Sequence, residues 1–192
     1  STVNICALDV SKTFDKMNHH GLFIKLIKRG VPISLLSVLE VGFSHCFTFV
    51  KWIGSFSFSF RLTCGIRQGG VLSPYLFAVY IDDLIIDIVK QSVGCTSRFV
   101  SVCIVVYADD ILLLAPSVSA LQRLISLCDL NLQSLDLAIN TKKSICTRIG
   151  PRFNAPCANI TTSDGSTLQW VDSLRYLGVF IVRSRIFRCS LH

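Results

Sequence analysis

Apolar residues occur along this chain in short runs separated by turn-forming residues, a pattern that predicts alternating strands and helices. No run reaches the 18 or so apolar residues that a membrane-spanning helix needs, so we expect no membrane partner. The mixture predicts one α+β domain over residues 1–192. The predicted elements are a strand at 3–9, a helix in the second half of 11–29, a helix after Pro32 to about Cys46, a hairpin at 47–62 around Gly54-Ser55, a helix from Ser73-Pro74 to about Lys90, strands at 99–106 and 111–114, a helix capped by Ser117 or Ser119 to about Asp136, and short strands from Ile145 with a last hairpin near Tyr176-Leu177-Gly178.

Two acidic residues, Asp109 and Asp110, interrupt the most apolar part of the chain. The runs on either side, residues 99–106 and 111–114, are both predicted to be buried strands, which places the acids at the turn of a hairpin. Ionised carboxylates next to a core are costly unless a cation or a hydrogen-bond network accepts them. The position therefore predicts a metal site.

Asp9 also follows a predicted strand. We call each predicted strand with the acid at its end a strand-acid element: one ends at Asp9 and the other contains Asp109 and Asp110. If these two elements pack side by side, three carboxylates meet at one end of a sheet and repel one another unless divalent cations neutralise them. Mg²⁺ favours a few carboxylates together with water and substrate phosphates, and two such ions serve polymerases and nucleases. For Asp9 alone, a solvent-exposed strand end is the favoured alternative.

The chain is basic, with 19 Lys and Arg against 12 Asp and Glu and a net charge of +7. This charge suits a nucleic-acid partner, although an ordinary basic protein explains it equally well. The nine cysteines are never closer than eight residues, which excludes CxxC zinc and redox motifs. We expect a reduced intracellular protein, in the nucleus or cytoplasm and not secreted. The chain lacks an initiating Met and a signal-like start, as expected of an excised piece.

Five segments together resemble the reverse transcriptases of non-LTR (LINE-type) retrotransposons, of the jockey and CR1 kind. They follow the family's order and cover nearly the whole chain: Leu8–Asp15, Gly65–Pro74, Tyr107–Asp110, Ala138–Ser144 and Ser173–Val179. The resemblance implies an RNA-directed DNA polymerase with a palm-like fold. In that fold an antiparallel sheet carries the carboxylates at its edge, helices back one face, and partial fingers elements are attached.

In the first segment, the resemblance makes Asp9 a catalytic metal ligand. It makes Val10 a metal ligand through its backbone carbonyl and a nucleotide-binding residue. Phe14 falls where the family places an aromatic ring that excludes a ribose 2′-hydroxyl, although an ordinary core Phe is the alternative. In the third segment, Asp109 is the bridging metal ligand, Asp110 a supporting acid, and Tyr107 a neighbour of the primer end.

The second segment implies nucleotide contacts from Arg67, Gln68 and Gly69. Glycine lets the backbone pass close to the nascent base pair, and the Gln68 amide can both donate and accept hydrogen bonds.

The fourth segment implies positively charged side chains near the reaction, and the fifth implies a contact with the primer strand. Lys143, together with its neighbour Lys142, would approach the departing pyrophosphate, the alternative being a solvated basic turn. Tyr176, Leu177 and Gly178 would grip the primer strand.

The implied cofactors are two Mg²⁺ ions, with Mn²⁺ as a substitute, and the implied partners are an RNA template, a DNA primer and deoxynucleoside triphosphates. The fingers segment, thumb and endonuclease of a parent polyprotein are expected to be missing from residues 1–192. Two other interpretations stay open: a truncated, inactive retroelement relic that at most binds nucleic acid, and a two-metal nuclease that would need neither Gln68 nor a sugar gate.

Overall fold

A computed structural model of the chain describes residues 1–11, 13–67, 69–98 and 100–191. The chain divides into two compact units, one made of residues 1–11 and 82–192 and the other of residues 12–81. The single palm domain expected over residues 1–192 stays a prediction. Within the described residues, no helix combines the length and apolar character that a bilayer crossing requires.

The helices and strands alternate as the sequence predicts. The helices are α1 (Thr13–Lys16), α2 (His19–Lys28), α3 (Ile33–Ser44), α4 (Ser73–Lys90) and α5 (Val118–Ser134). The strands are β1 (Val3–Ser11), β2 (Phe47–Thr48), β3 (Lys51–Trp52), β4 (Ser55–Phe56), β5 (Phe60–Arg61), β6 (Thr96–Ser97), β7 (Val100–Ser101), β8 (Ile104–Tyr107), β9 (Asp110–Ala115), β10 (Ala138–Ile139), β11 (Ile145–Ile149), β12 (Ile160–Thr161), β13 (Thr167–Trp170), β14 (Ser173–Tyr176), β15 (Val179–Val182) and β16 (Cys189–Leu191).

The larger unit is built on one mixed sheet whose strand order is β12-β13-β11-β1-β9-β8, with β10 also paired to β1. All pairs in it are antiparallel except β11 with β13. The two central strands, β1 and β9, are mostly buried because their residues are apolar on both faces. This arrangement confirms the predicted α+β class with a palm-like, largely antiparallel sheet.

Helix α5 covers one face of that sheet and packs against β9, β1, β10 and β12. Ser117 caps it by accepting a hydrogen bond from the Ala120 amide at 3.1 Å, as the sequence predicts. The buried stripe recurs every three or four residues and consists of Ala120, Leu121, Leu124, Ile125, Cys128 and Leu132.

The β14–β15 hairpin packs against the sheet through a separate apolar cluster. Leu174 and Ile181 of the hairpin are buried with Ile5, Leu112 and Ile149 of the sheet. This contact fixes the position of the predicted primer-grip turn, which lies between the two strands.

The upstream arm of the acidic hairpin differs from the prediction of one buried strand over 99–106. Phe99 lies outside the described residues, and the rest divides into β7 and β8. Val105 and Tyr107 of β8 are 41% and 64% exposed. The physical reason is position: β8 ends the strand order, so none of the strands that the structure describes pairs with its outer edge.

The smaller unit contains α1, α2, α3, the first half of α4 and the hairpin strands β2 to β5. Asn18 caps α2 by accepting from the Gly21 amide at 3.1 Å. The α3 helix buries none of its residues fully, despite its apolar sequence. This unit therefore exposes much of its apolar surface.

We expect the thiols under α5 to resist modification in the folded protein. Cys6 and Cys146 are cross-strand partners, and Cys128 of α5 is fully buried. Burial raises the pKa of Cys6 well above its usual value and, together with the Asp129 charge, raises the pKa of Cys128 to about 12. The thiolate fraction of Cys128 at neutral pH is then about 1000-fold below that of an ordinary thiol.

A disulfide-exchange reagent should label the exposed Cys64 and Cys189 quickly, and the buried thiols only after denaturation. Mass spectrometry of labelled peptides at successive times measures this difference. Rapid labelling of Cys128 in the native protein would contradict the buried position.

Candidate active site

Asp9 and Asp110 lie directly opposite each other on neighbouring strands. Asp9 is near the end of β1, Asp110 is the first residue of β9, and the antiparallel register pairs the two. Directly opposed residues in such a pair project from the same face, with Cβ atoms about 4.5–5.5 Å apart. The expectation that the two strand-acid elements pack side by side is confirmed.

Asp109 lies in the tight turn that joins β8 to β9. Tyr107 and Asp110 form the last cross-strand pair, so Ala108 and Asp109 are the two loop residues. Ala108 has a φ of 51°, a left-handed value that a residue with a Cβ rarely adopts and that costs roughly 1–2 kcal/mol. Pairing of β9 with both neighbours holds the turn in this conformation and keeps Asp109 next to Asp110.

Asp9, Asp109 and Asp110 bring three like-charged carboxylates into one neighbourhood. Burial raises the pKa of Asp110, and the charges of Asp109 and then Asp9 raise it further. The described residues include no Lys or Arg paired with any of the three. Such a cluster attracts cations.

The donor chemistry of the cluster suits a hard divalent cation, because it offers carboxylate oxygens. However, in the part of the chain that the structure describes, no three His, Cys, Asp or Glu side chains are close enough together to hold one ion. The structure thus brings the predicted ligands Asp9, Asp109 and Asp110 into one neighbourhood without showing a formed ligand set. Their metal-binding roles, and that of the buried Val10, stay predictions.

A basic loop lies beside Asp9. Strands β10 and β11 both pair with β1, and the chain leaves the sheet between them at residues 140–144. The loop begins where the Asn140 amide donates to the Asp9 carbonyl at 2.8 Å, and it ends where the Ser144 hydroxyl accepts from the Asp9 amide at 3.0 Å. Both lysines between them, Lys142 and Lys143, are exposed.

The Tyr176 side chain reaches the acidic hairpin from β14. Its hydroxyl oxygen lies 3.5 Å from the carbonyl oxygens of both Val105 and Asp110, so its one hydrogen donates to either carbonyl or is shared between them. Burial raises the pKa of Tyr176, with a further contribution from the Asp110 charge. The turn that follows, Leu177 and Gly178, has φ values of 48° and 80°. The predicted primer-grip residues therefore lie next to the predicted catalytic box.

Of the predicted nucleotide-binding residues, Phe14, Arg67 and Gly69 lie in the smaller unit, whereas Val10 lies in β1 of the larger unit. Phe14 packs on Phe77 with ring centroids 5.1 Å apart, and Phe14 and Arg67 line one cleft of about 840 Å³. Gly69 is exposed with a φ of 79°. Gln68 lies outside the described residues.

Residues 3–181 match the family model described as reverse transcriptase (RNA-dependent DNA polymerase). The chain belongs to the reverse transcriptase family. The predicted resemblance to enzymes of non-LTR retrotransposons is confirmed by its curated relatives.

The chain is 25% identical over 193 residues to the retrovirus-related Pol polyprotein from type-2 retrotransposable element R2DM of Drosophila melanogaster, covering 97% of this chain and 18% of that protein. It is 29% identical over 206 residues to the RNA-directed DNA polymerase from mobile element jockey of Drosophila funebris, covering 95% of this chain and 20% of that protein. This reverse transcriptase chain thus spans about a fifth of the length of these relatives.

Solved structures of telomerase have a similar fold. Apo telomerase from Candida tropicalis, truncated from the C-terminal domain, matches with a TM-score of 0.65 and 11% identity, over 100% of this chain and 36% of that one. Telomerase from Candida albicans, in complex with a fragment of telomeric RNA, matches with a TM-score of 0.64 and 14% identity, over 98% and 30%. At this identity the likeness supports the fold of the reverse transcriptase chain.

Two residues that support Asp9 are not among the predicted site residues. Ser144 is buried and Asn140 accepts hydrogen bonds from the amides of Lys143 and Ser144, at 3.1 and 2.9 Å. The signal in the sequence for a supporting role of Ser144 is its position: it follows the Lys142-Lys143 pair and directly precedes the apolar strand β11. Its partner, however, is 135 residues away in sequence.

We expect Ser144→Ala to destabilise the reverse transcriptase chain by about 1 kcal/mol, because the half-buried Asp9 amide loses its acceptor. Urea denaturation measures this loss. Ser144→Thr keeps the hydroxyl and should recover part of the lost stability. Equal stability of the parent chain and Ser144→Ala would show that the hydrogen bond from the Asp9 amide to Ser144 does not stabilise the fold.

We expect Asp110→Asn to stabilise the chain at pH 7 in the presence of a chelator. The opposed carboxylates of Asp9 and Asp110 repel, and removing such a pair gains about 0.2–1 kcal/mol, or about 1–4 °C in melting temperature. Because the folded pKa of Asp110 lies above its ordinary value of 3.8, stability is lost as the pH rises through that folded pKa.

The gain from Asp110→Asn should therefore vanish near pH 3, where Asp110 is protonated in both states. Thermal melts at the two pH values test this dependence. Glu40→Gln, at an exposed carboxylate within α3 of the smaller unit, is the control, and an equal gain in the control at pH 7 would contradict the repulsion.

Proposed function

We propose that this chain carries out RNA-directed DNA polymerisation, in which a primer 3′-hydroxyl attacks the α-phosphate of a deoxynucleoside triphosphate. The observation that carries the proposal is the register pairing of Asp9 with Asp110 in a chain of the reverse transcriptase family, with Asp109 in the adjoining turn. An acidic cluster of this kind holds cations at the centre of nucleotidyl transfer.

The carboxylates of Asp9, Asp109 and Asp110, with the Val10 carbonyl, would hold two Mg²⁺ ions, or Mn²⁺ in their place. When bound, these ions supply charge neutralisation for the reacting phosphates and make the attacking hydroxyl more acidic. Oxygen-only donors and the raised pKa of Asp110 support this choice.

The surrounding side chains position the reacting groups. The Ser144 hydroxyl and the Asn140 backbone amide hold the amide and the carbonyl of Asp9, which fixes the backbone from which its carboxylate projects. The Lys142-Lys143 loop next to Asp9 brings positive charge to the departing pyrophosphate. On the other side, exposed Tyr107 and the Tyr176 turn would contact the primer strand.

The cleft of the smaller unit would receive the incoming nucleotide. Arg67 would contact its phosphates, and the flat ring of Phe14, braced by Phe77, would leave no room for a ribose 2′-hydroxyl. RNA template and DNA primer would be held mainly through phosphates, in keeping with the net charge of +7.

Primer extension tests the proposal directly. The chain is incubated with an RNA template annealed to a DNA primer, all four deoxynucleotides and Mg²⁺. Templated extension that stops with EDTA would support it, whereas cleavage of the strands would indicate a nuclease.

A second readout does not depend on activity. Mg²⁺ should raise the melting temperature of the parent chain and should do so less for Asp110→Asn. Neither extension nor stabilisation by Mg²⁺ would overturn the proposal in favour of an inactive relic.

A further inference from the structure

The hairpin formed by β2 to β5 presents one face on which aromatic and basic side chains lie side by side. Phe47 pairs with Arg61 across the strands, and Lys51 pairs with Phe56. The Phe49 ring lies edge-on to Phe56 at 5.2 Å between centroids, and the Lys51 Nζ lies 5.4 Å from the Phe56 centroid. We call these five residues the aromatic–basic face.

The rings of this face are open to solvent. Phe47, Phe49 and Phe56 are 59%, 57% and 60% exposed, although each would gain from burial. Exposed aromatic rings grouped in this way mark a binding surface.

The charge around the face selects a polyanion as the occupant. Residues 41–81 contain no Asp or Glu. The smaller unit as a whole has eight Lys and Arg against two acids, Asp15 and Glu40, so it carries most of the net charge of the chain. Binding of an apolar protein surface does not require an excess of positive charge, whereas binding of nucleic-acid phosphates does.

The exposed rings favour an unpaired strand over a duplex. Bases in a duplex already stack on one another, whereas unpaired bases stack on aromatic side chains regardless of sequence. Phe47, Phe49 and Arg61 also line the 840 Å³ cleft that contains Phe14 and Arg67. Asp15 is the acid that lines this cleft. The face is thus continuous with the predicted nucleotide-binding residues.

We propose that the aromatic–basic face binds a single-stranded nucleic acid, with bases stacked on Phe47, Phe49 and Phe56 and phosphates against Lys51 and Arg61. The strand would be the unpaired template, an assignment that rests on the proposed polymerase function. The binding itself does not require that function.

Fluorescence anisotropy with a labelled RNA of about 12 nucleotides tests the face, in EDTA and without nucleotides so that no reaction occurs. The double variant F49A/F56A should bind at least about 10-fold more weakly, because each lost stacking contact weakens binding several-fold or more. The double variant I33A/L35A removes exposed apolar side chains from α3 instead and should bind like the parent.

The salt dependence separates phosphate contacts from stacking. The double variant K51Q/R61Q should reduce the slope of log affinity against log salt by about 1.4, whereas F49A/F56A should leave it unchanged. Melting temperatures close to that of the parent would show that both variants fold.

Unchanged affinity in F49A/F56A would overturn the proposal. Sedimentation tests the alternative that the face binds a second copy of the chain. If F49A/F56A loses self-association while its RNA binding is intact, the proposal is overturned and the face is assigned to that second copy. RNA binding by the face, with neither primer extension nor stabilisation by Mg²⁺, would support the face while overturning the polymerase function, so the two failures are distinguishable.

Discussion

Asp109→Asn is expected to lower primer extension by at least about 1000-fold, equivalent to about 4 kcal/mol of transition-state stabilisation. Asp109 lies in the two-residue turn between β8 and β9, next to the opposed pair of Asp9 and Asp110. Asparagine has the same shape, so the variant removes charge while keeping the turn. A loss of this size would therefore report on the carboxylate rather than on folding.

Asp136→Asn is the control for Asp109→Asn, because it makes the same chemical change just after α5 at a carboxylate that is not one of the three in the cluster. It should extend primers at the parent rate. If the parent chain extends no primer, the increase in melting temperature with Mg²⁺ provides an equilibrium readout, and it should be smaller for Asp109→Asn than for the control. Equal activity and equal stabilisation by Mg²⁺ in the two variants would contradict the role of Asp109.

The parts of the fold that the sequence predicts well are those where one local signal dominates. Strand β1 and helix α5 have clear apolar patterns, and α5 also has its predicted cap at Ser117. The acidic hairpin could be located because two acids between apolar runs are chemically conspicuous. Its pairing with Asp9 followed from one physical assumption, that the two strand-acid elements are neighbours.

Long-range relations were harder to predict. The hydrogen bond from the Asp9 amide to Ser144 joins residues from two distant segments, and no local pattern in either segment specifies the other. The exposure of β8 depends on its place at the end of the strand order, which residues 99–106 do not encode. Likewise, α3 has a core-like sequence but buries no residue fully. The hydrogen bond to Ser144, the exposure of β8 and the exposure of α3 all depend on tertiary contacts rather than on local sequence.

The segment around Gly65 also depends on tertiary context, since it runs against the backbone of residues 14–17. The Gly65 amide donates to the Met17 carbonyl at 2.8 Å and the Ile66 amide to the Phe14 carbonyl at 2.7 Å. The Gly65 carbonyl accepts from the His19 ring at 2.6 Å. These bonds hold Phe14 and the predicted nucleotide-binding loop together.

Gly65→Ala is therefore expected to destabilise the smaller unit by about 3 kcal/mol. Gly65 has a φ of 82°, and a Cβ there would lie 2.6 Å from the Asp15 carbonyl oxygen and 2.9 Å from that of Phe14. The left-handed conformation accounts for about 1–2 kcal/mol and the overlap with backbone atoms for about 1–3 kcal/mol. Urea denaturation with an unchanged m-value would measure the sum.

Gly30→Ala separates the two contributions, because Gly30 has a similar φ of 71° and a Cβ at this position would meet no atom within 4 Å. It should cost only the conformational part, about 1 kcal/mol. The difference in unfolding free energy between the two variants then measures the cost of the overlap between a Cβ at position 65 and the backbone of residues 14 and 15. Equal losses would show that the approach of the Gly65 loop to these residues is not tight in solution, and Phe14 would then lack the backbone support that its predicted role as a sugar gate requires.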